Sequence, residues 1–544
     1  MNRRNFIKLS ATASAISLSP LQLHAALKTF IPYMECPDIS NRKLVLINLS
    51  GGNDGLNTIV PLNQYDIYSN LRPKIKVPVS GANQYITLDR TLANNQQIGL
   101  NPALTGIKKL YDKGWVRIMQ SVGYPSQNKS HFRSNDLYLT GNDGNSVLNG
   151  STTGWMGRFM ELYYPNLVTE DFPIAIEIGA VNTSLGFHSA EAHNLSINLT
   201  RQDPDNFYSI VNGLTGIPPL NFPNSDYGDQ LRFLTDTDSF TNIYSGAITS
   251  AFDKGTNAAT YEDNDLSNQL KTVARLISGD LKTKIYMVHI HGFDTHDLQV
   301  QGSGESIGSH YDLLSQLSGA METFINDLDS QNLADDVVGL TYSEFGRKAA
   351  ENGNLGTDHG EIAPMFVFGK PVKGGVSGTN PDLTEATSSN NFQLTTVQYD
   401  YRQTFATILQ NFLGANDTII NDTFFNHTLN DSFVNLKVSE LLKSEFDISQ
   451  GCIPNQNENF QENKNWLLYP NPFKDTINLS SIEYFLESVS FNIYNTSGAL
   501  LLERTELLVN GQATIDLFNY SSGVYYFKIF LANGGEEIHK AIKI

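Results

Sequence analysis

The sequence predicts an α/β protein, a doubly wound and mostly parallel sheet, followed by a small antiparallel β-sandwich. Three observations carry that expectation. Between Leu44 and Phe368, short and almost wholly apolar runs recur, as they do in strands covered on both faces. Segments of helical length and period lie between them, the alternation of a parallel sheet. From residue 466 onward, brief alternating runs are separated by turn signals, the pattern of antiparallel strands.

The elements follow in chain order. Residues 1–26 read as a targeting leader: Arg3, Arg4, Phe6 and Lys8 spell R-R-x-F-x-K, and a Ser/Ala/Leu stretch then runs to Ala25-Ala26. That stretch is too short and too rich in Ser and Thr to span a bilayer, and no later segment offers roughly 18 uninterrupted apolar residues. The α/β domain is expected over 42–450. Its first strand, Leu44–Leu49, ends at Ser50-Gly51-Gly52-Asn53-Asp54-Gly55, a turn in which glycine lets backbone approach a ligand. A helix over 102–113 precedes the strand Val116–Gln120, and a helix over 267–279 feeds the strand Ile285–Ile290. Leu314, Leu317, Met321, Phe324 and Leu328 share one face of a helix over 311–328. It leads to the strands Val337–Thr341 and Pro364–Phe368, then to a helix near 400–413. The stretches 63–100, 140–265 and 370–396 read as loops and insertions around the rim. A polar linker, 451–465, joins this domain to the sandwich, 466–544, with strands at Ser488–Tyr494, Ala513–Leu517 and Val524–Phe530.

Composition narrows the chemistry. With 37 Lys and Arg against 56 Asp and Glu, the net charge of −19 argues against a nucleic-acid partner, since no basic stripe exists to displace counterions from phosphates. Two cysteines, Cys36 and Cys452, rule out zinc-ribbon spacing, so any metal rests on His and carboxylates. They stand at the two edges of the α/β domain, where they either pair in an oxidising compartment or remain separate thiols.

In such sheets, ligands gather beyond the carboxyl ends of the strands. After the first strand comes Asp54. After 285–290 come Asp294 and His296, in Gly292-Phe293-Asp294-Thr295-His296. Beyond 337–341 lie Ser343-Glu344-Phe345-Gly346-Arg347 and Gly356-Thr357-Asp358-His359-Gly360. Three sheet ends thus bring Asp and His to one rim, which favours a metal site.

These motifs resemble the family known as domain of unknown function 1501, over about residues 42–415. Ser130-His131-Phe132, Thr153-Gly154-Trp155 and Gly157-Arg158 look like further signatures of it. The family looks like a distant branch of the alkaline phosphatase superfamily, so the resemblance implies an alkaline phosphatase-like fold. It also implies divalent metal ions, zinc among them, with Asp54, Asp358 and His359 holding one and Asp294 and His296 a second. A Ser alkoxide would attack an anionic ester, with Ser134 the first candidate and Ser130 the next, each of which also suits an ordinary helix cap. Glu344 and Arg347 would line the site, Arg347 as a clamp for the anion or as a structural ion pair. The last ligand of the superfamily pattern has no counterpart between 360 and 426. His289, His291 and His310 are candidate replacements, and His427 is not assigned.

The leader resembles a twin-arginine signal, which implies the twin-arginine translocase as a partner. The tail resembles the type IX secretion C-terminal sorting domain through Leu468-Tyr469-Pro470-Asn471-Pro472, Ile493-Tyr494-Asn495-Thr496-Ser497-Gly498, Ser522-Gly523-Val524-Tyr525-Tyr526 and Lys540-Ala541-Ile542-Lys543-Ile544. It implies the type IX machinery as a partner and release or attachment at the cell surface. The functional expectation is an exported metal-dependent hydrolase of phosphate or related esters. Its alternative is a non-catalytic surface or envelope protein that keeps the fold, with a matrix or adhesion component as a third reading.

Overall fold

The computed structural model describes residues 38–125, 127–144, 153–165, 167, 170–180, 185–189, 196–199, 244–302, 306–424, 437–448, 466–469, 473–481, 488–495, 500–508, 512–521, 523–530 and 536–543. The leader, Cys36, Cys452, His427 and the linker 451–465 lie outside them. The chain divides into two compact units between Pro454 and Asn455.

The strands of the large unit are β1 (Lys43–Ser50), β2 (Ile59–Pro61), β3 (Ile86–Thr87), β4 (Ile98–Leu100), β5 (Val116–Gly123), β6 (Ala175–Ile178), β7 (Ser196–Leu199), β8 (Ile285–His291), β9 (Val337–Tyr342), β10 (Ala363–Phe368), β11 (Gly375–Ser377) and β12 (Tyr399–Asp400). Its main helices are α1 (Thr105–Asp112), α2 (His131–Thr140), α3 (Trp155–Tyr163), α4 (Asp265–Ser278), α5 (Ser309–Ser330) and α6 (Tyr401–Asn411). The central sheet runs β11-β5-β10-β9-β1-β8-β6-β7, with β12 also on β5, while β2, β4 and β3 form a small separate sheet.

Alternate residues of β1 explain why its whole run is apolar. Val45, Ile47 and Leu49 pack under α1, α4 and α5, whereas Leu44 and Leu46 pack under α2, α3 and α6. A strand covered on both faces has no solvent side to make polar. The doubly wound arrangement is therefore present, with β1 parallel to both β8 and β9.

One strand is reversed: β10 is antiparallel to β9 and to β5. The chain from Tyr342 to Ala363 contains no crossover helix, so it turns back, as an antiparallel partner permits. The reversal matters for function. It puts the amino end of β10 on the same rim as the carboxyl ends of β1, β8 and β9, so the whole segment 343–362 stays there.

The stretch expected to be loops over 140–265 also contains α3, β6, β7 and a helix at 244–254. Strands β6 and β7 escaped notice because each has four residues, and polar Glu177 and Asn198 break their apolar runs. The helix Tyr65–Leu71 likewise lies inside 63–100.

The small unit has β13 (Trp466–Tyr469), β14 (Thr476–Ser481), β15 (Ser488–Asn495), β16 (Leu500–Leu507), β17 (Gln512–Asp516), β18 (Gly523–Phe530) and β19 (Glu536–Lys543). Two antiparallel sheets, β13-β14-β17 and β16-β15-β18-β19, enclose Trp466, Ile477, Leu479, Phe491, Ile493, Ile515, Phe527 and Ile529. The period-two alternation of Ser488–Asn495 sends Val489, Phe491 and Ile493 inward. No described helix is long and apolar enough to cross a membrane.

Candidate metal centre

The rim is assembled by backbone before any side chain acts. Gly51, at φ +123°, lies so close to the β8 loop that a Cβ would sit 2.3 Å from the Asp294 nitrogen, a position only glycine can take. The Phe293 amide donates to the Ser50 carbonyl (3.1 Å), which ties the ends of β1 and β8 together. Two motifs then face one another as a hairpin, with Lys348 N donating to Asp358 O (2.9 Å) and Gly360 N to Gly346 O (2.8 Å). Arg347 and His359 are bridge partners in it.

Arg347 locks these loops. Its side chain is fully buried and donates to the carbonyls of Gly51, Gly52, Phe293 and Thr357, and to Asp294 Oδ1. Every guanidinium nitrogen is thereby engaged by the protein, so its position fits the structural alternative and leaves none to clamp an anion.

Asp294, His296, Asp358 and His359 come together, and His131 joins them from the first turn of α2. Asp294 Oδ1 lies 3.2 Å from His296 Nε2 and 3.3 Å from His359 Nε2, while Oδ2 lies 3.5 Å from His131 Nε2. Ligand atoms of His131, Asp294 and His359 all fall within 4.8 Å of one another. The opposite ring nitrogens have oxygen partners. His131 Nδ1 meets Glu344 Oε1 at 2.8 Å, His359 Nδ1 meets the Lys129 carbonyl at 2.8 Å, and His296 Nδ1 meets Asp358 Oδ1 at 3.3 Å. Carboxylates and carbonyls only accept, so a neutral ring carries its proton on Nδ1 and points the Nε2 lone pair inward.

Lone pairs converging on a carboxylate repel unless a cation or proton lies among them. His131 Nε2 is buried without a hydrogen-bond partner, and His296 Nε2 faces His359 Nε2 at 2.8 Å. Ligands about 2.0–2.1 Å from a tetrahedral ion are separated by roughly 3.3 Å, close to the spacings from Asp294. The donor set fits a divalent ion of the zinc type. Titration follows the same geometry. The Glu344 hydrogen bond raises the His131 pKa, and burial lowers that of His359. Burial opposes ionisation of Asp294, but the Arg347 hydrogen bond and charge outweigh it and hold the carboxyl below its usual range.

Other sequence candidates sit elsewhere. Asp54 is fully buried in an ion pair with Arg72 (2.6 Å), also accepts from Gln299, and makes no hydrogen bond or ion pair with Asp358 or His359. Ser134 is buried within α2 and donates to the Asn128 carbonyl (2.6 Å). Ser130 is exposed at the start of α2 without a side-chain capping bond. His310 is buried against Asn53 (3.0 Å), with its pKa pushed down by burial to about 4. His289 pairs with Glu177 (2.9 Å), and exposed His291 faces the Gly179 carbonyl (3.5 Å). The residue missed from the sequence is His131. Its signal was a histidine in the first turn after the carboxyl end of β5, a fourth sheet end feeding the same rim.

No curated protein matches the chain. A protein in the alkaline phosphatase superfamily from Vibrio parahaemolyticus is 10% identical, with a TM-score of 0.31 over 91% of this chain and 81% of that one. A sulfatase from Pseudoalteromonas sp. is 11% identical, with a TM-score of 0.31 over 88% of this chain and 84% of that one. A DUF3244-family protein from Bacteroides vulgatus, with an immunoglobulin-like β-sandwich, is 15% identical, with a TM-score of 0.13 over 15% of this chain and 87% of that one. Residues 467–544 match the secretion system C-terminal sorting domain, which indicates export by type IX secretion to the cell surface or the medium. Residues 251–416, which carry α4 through α6 with Asp294, His296, Asp358 and His359, match the family described as protein of unknown function. The chain therefore carries one segment similar to the DUF1501 family model and another similar to the secretion system C-terminal sorting domain.

Proposed function

We propose that the large domain is an exported metal-dependent hydrolase of phosphate or related esters, built around one divalent ion, and that residues 1–26 address it to the twin-arginine translocase. The observation that carries the reading is the convergence of imidazole lone pairs on Asp294, with each opposite ring nitrogen facing an oxygen. His131, Asp294 and His359 would hold the ion, which when bound supplies Lewis-acid stabilisation of charge on an ester oxygen. Glu344 and the Lys129 carbonyl orient two of the ligands, and Arg347 fixes the third. His296 is the most exposed imidazole of the group and is backed by Asp358, the arrangement of a residue that takes a proton from the attacking water on its Nε2. We assign one ion because Asp54 is already neutralised by Arg72. We assign water as the attacking group because the Ser134 hydroxyl is held by Asn128.

The alternative, a non-catalytic surface protein keeping one structural ion, is favoured by the engagement of Arg347 by the loops, which withholds that guanidinium from substrate. Metal content and turnover decide between them. The full chain purified without chelators is expected to carry one divalent ion and to cleave members of a phosphomonoester, phosphodiester and sulfate-ester panel, with both properties lost in Asp294→Ala. An ion without turnover of any ester supports the alternative.

A further inference from the structure

The two loops that carry Asp294–His296 and Asp358–His359 are joined through one buried amide. Thr295 stands between Asp294 and His296, and Thr357 directly precedes Asp358. Both threonines are buried, and both hydroxyls donate to Gln299 Oε1, each at 3.0 Å. The other end of that amide, Nε2, donates to Asp54 Oδ2 at 2.5 Å. Chemistry fixes which way the amide points. Burial opposes ionisation of Asp54, but the Arg72 charge outweighs it and keeps the carboxyl ionised. A carboxylate only accepts, so it meets the NH2 end and leaves the amide oxygen to the two hydroxyls. Gln299 and Asp54 are fully buried, so bulk water does not compete for these bonds. Backbone draws the same loops together, with the Thr357 amide donating to the Thr295 carbonyl (3.1 Å) and the Gln299 amide to the Leu355 carbonyl (3.0 Å). Gly356 makes the approach possible, since a Cβ there would lie 2.4 Å from the His296 carbonyl oxygen.

We propose that Gln299 is a positioning residue for the ion: anchored on Asp54, it sets the spacing between the two loops and so holds the centre at the short ligand separations that suit a small, tetrahedrally bound ion. The inference rests on the metal reading above. Apolar packing alone would keep the loops near one another, but it is non-directional. Hydrogen bonds hold their partners within a few tenths of an ångström and to a narrow range of angles, and in a buried setting they specify one arrangement. The proposal also gives the Asp54–Arg72 pair a use. Arg72 donates to the carbonyls of Lys348 (2.7 Å) and Ala349 (2.8 Å), so the carboxylate that anchors Gln299 is tied to the loop of Asp358 from its other side as well. A loosened frame would let the ligands spread and the ion take up water, as larger and more flexible sites do.

The test compares full-length wild type with Gln299→Met, Thr295→Val/Thr357→Val and Thr295→Ser/Thr357→Ser. Methionine keeps the length and loses the amide, the valines keep the shape and lose the hydroxyls, and the serines keep the hydroxyls. Zinc affinity is read by chelator competition and ligand geometry by the visible spectrum of the cobalt(II)-substituted protein, both at a temperature where circular dichroism finds each variant folded. Wild type is expected to show the intense bands of four-coordinate cobalt. Gln299→Met and the valine pair should bind zinc about tenfold more weakly, with the fainter cobalt bands of higher coordination, and the serine pair should recover both properties. If Gln299→Met does not fold, the valine and serine pairs decide by the same comparison. A lowered melting temperature with zinc affinity and cobalt spectrum unchanged makes Gln299 a structural residue only and overturns the proposal, as does a serine pair no better than the valine pair, while the metal reading stands. Wild type that binds neither metal overturns the two together.

Discussion

Replacing Arg72 by methionine removes the cation from a pair in which both side chains are fully buried, 2.6 Å apart. The Asp54 carboxylate then has no charge partner, and its Oδ1 already lacks a hydrogen-bond donor. Breaking a buried pair by deleting one member destabilises by about 3–5 kcal/mol. Unfolding entropy of ~2.1 cal/mol/K per residue over a domain of about 400 residues comes to ~0.84 kcal/mol/K, so the melting temperature should fall by roughly 4–6 °C. Asp54→Asn leaves Arg72 with its bonds to the Lys348 and Ala349 carbonyls but without a counter-charge, and should destabilise by a similar amount. The double variant should lose less than the sum, with a coupling of about 2 kcal/mol or more, because neither charge is stranded. Scanning calorimetry of the four proteins gives the cycle, and elemental analysis gives their metal content. Asp54 as the partner of Arg72 predicts an unchanged ion content in Asp54→Asn. Loss of the ion in Asp54→Asn, with an unchanged melting temperature, would refute the argument and restore Asp54 as a ligand.

Three further outcomes follow from the same geometry. Glu344→Gln weakens the grip on the His131 tautomer and should lower zinc affinity by about 10–100-fold, read by chelator competition, with the fold intact. Burial depresses the Lys284 pKa from 10.5 to about 7, so the unfolded chain binds the extra proton between those values and wild-type stability rises with pH across that window. Lys284→Met should therefore stabilise at pH 7 by something on the order of 2–4 kcal/mol, and the gain should shrink towards pH 10 in denaturant titrations. For Asp54 burial opposes ionisation, but the charge and hydrogen bond of Arg72 outweigh it and leave the pKa below 3.8. Its contribution is complete above that value and lost as pH falls through the depressed one, so Asp54→Asn should flatten the acid limb of the stability profile below about pH 4.

Much of the fold was legible because burial on both faces leaves a plain trace. Leu44–Leu49, Ile285–Ile290 and Val337–Thr341 are apolar nearly throughout, since helices cover each side of the sheet. The direction of β10 left no such trace: Ala363–Phe368 is just as apolar, and only the absence of a crossover helix after Tyr342 sets it antiparallel. Strands β6 and β7 were illegible for a different reason, as Glu177 answers to His289 through space and not to a local pattern.

The site divides along similar lines. Asp294, His296, Asp358 and His359 were readable because they follow strand ends in short glycine-bounded motifs. His131 stood only within a family signature and not among the ligands, since one histidine at a helix start is an ordinary sight until Glu344 and Asp294 are seen on either side of it. Asp54 looked like a ligand because it follows the first strand. Its engagement by Arg72 depends on a contact that no spacing near Asp54 announces.

The most direct measurement is diffraction from zinc-loaded crystals at the zinc absorption edge. The account predicts one anomalous peak per chain, about 2.0–2.2 Å from His131 Nε2, His359 Nε2 and an Asp294 oxygen, and its absence in His131→Ala. A peak on Asp54, or none at the His131–Asp294–His359 cluster, would contradict it.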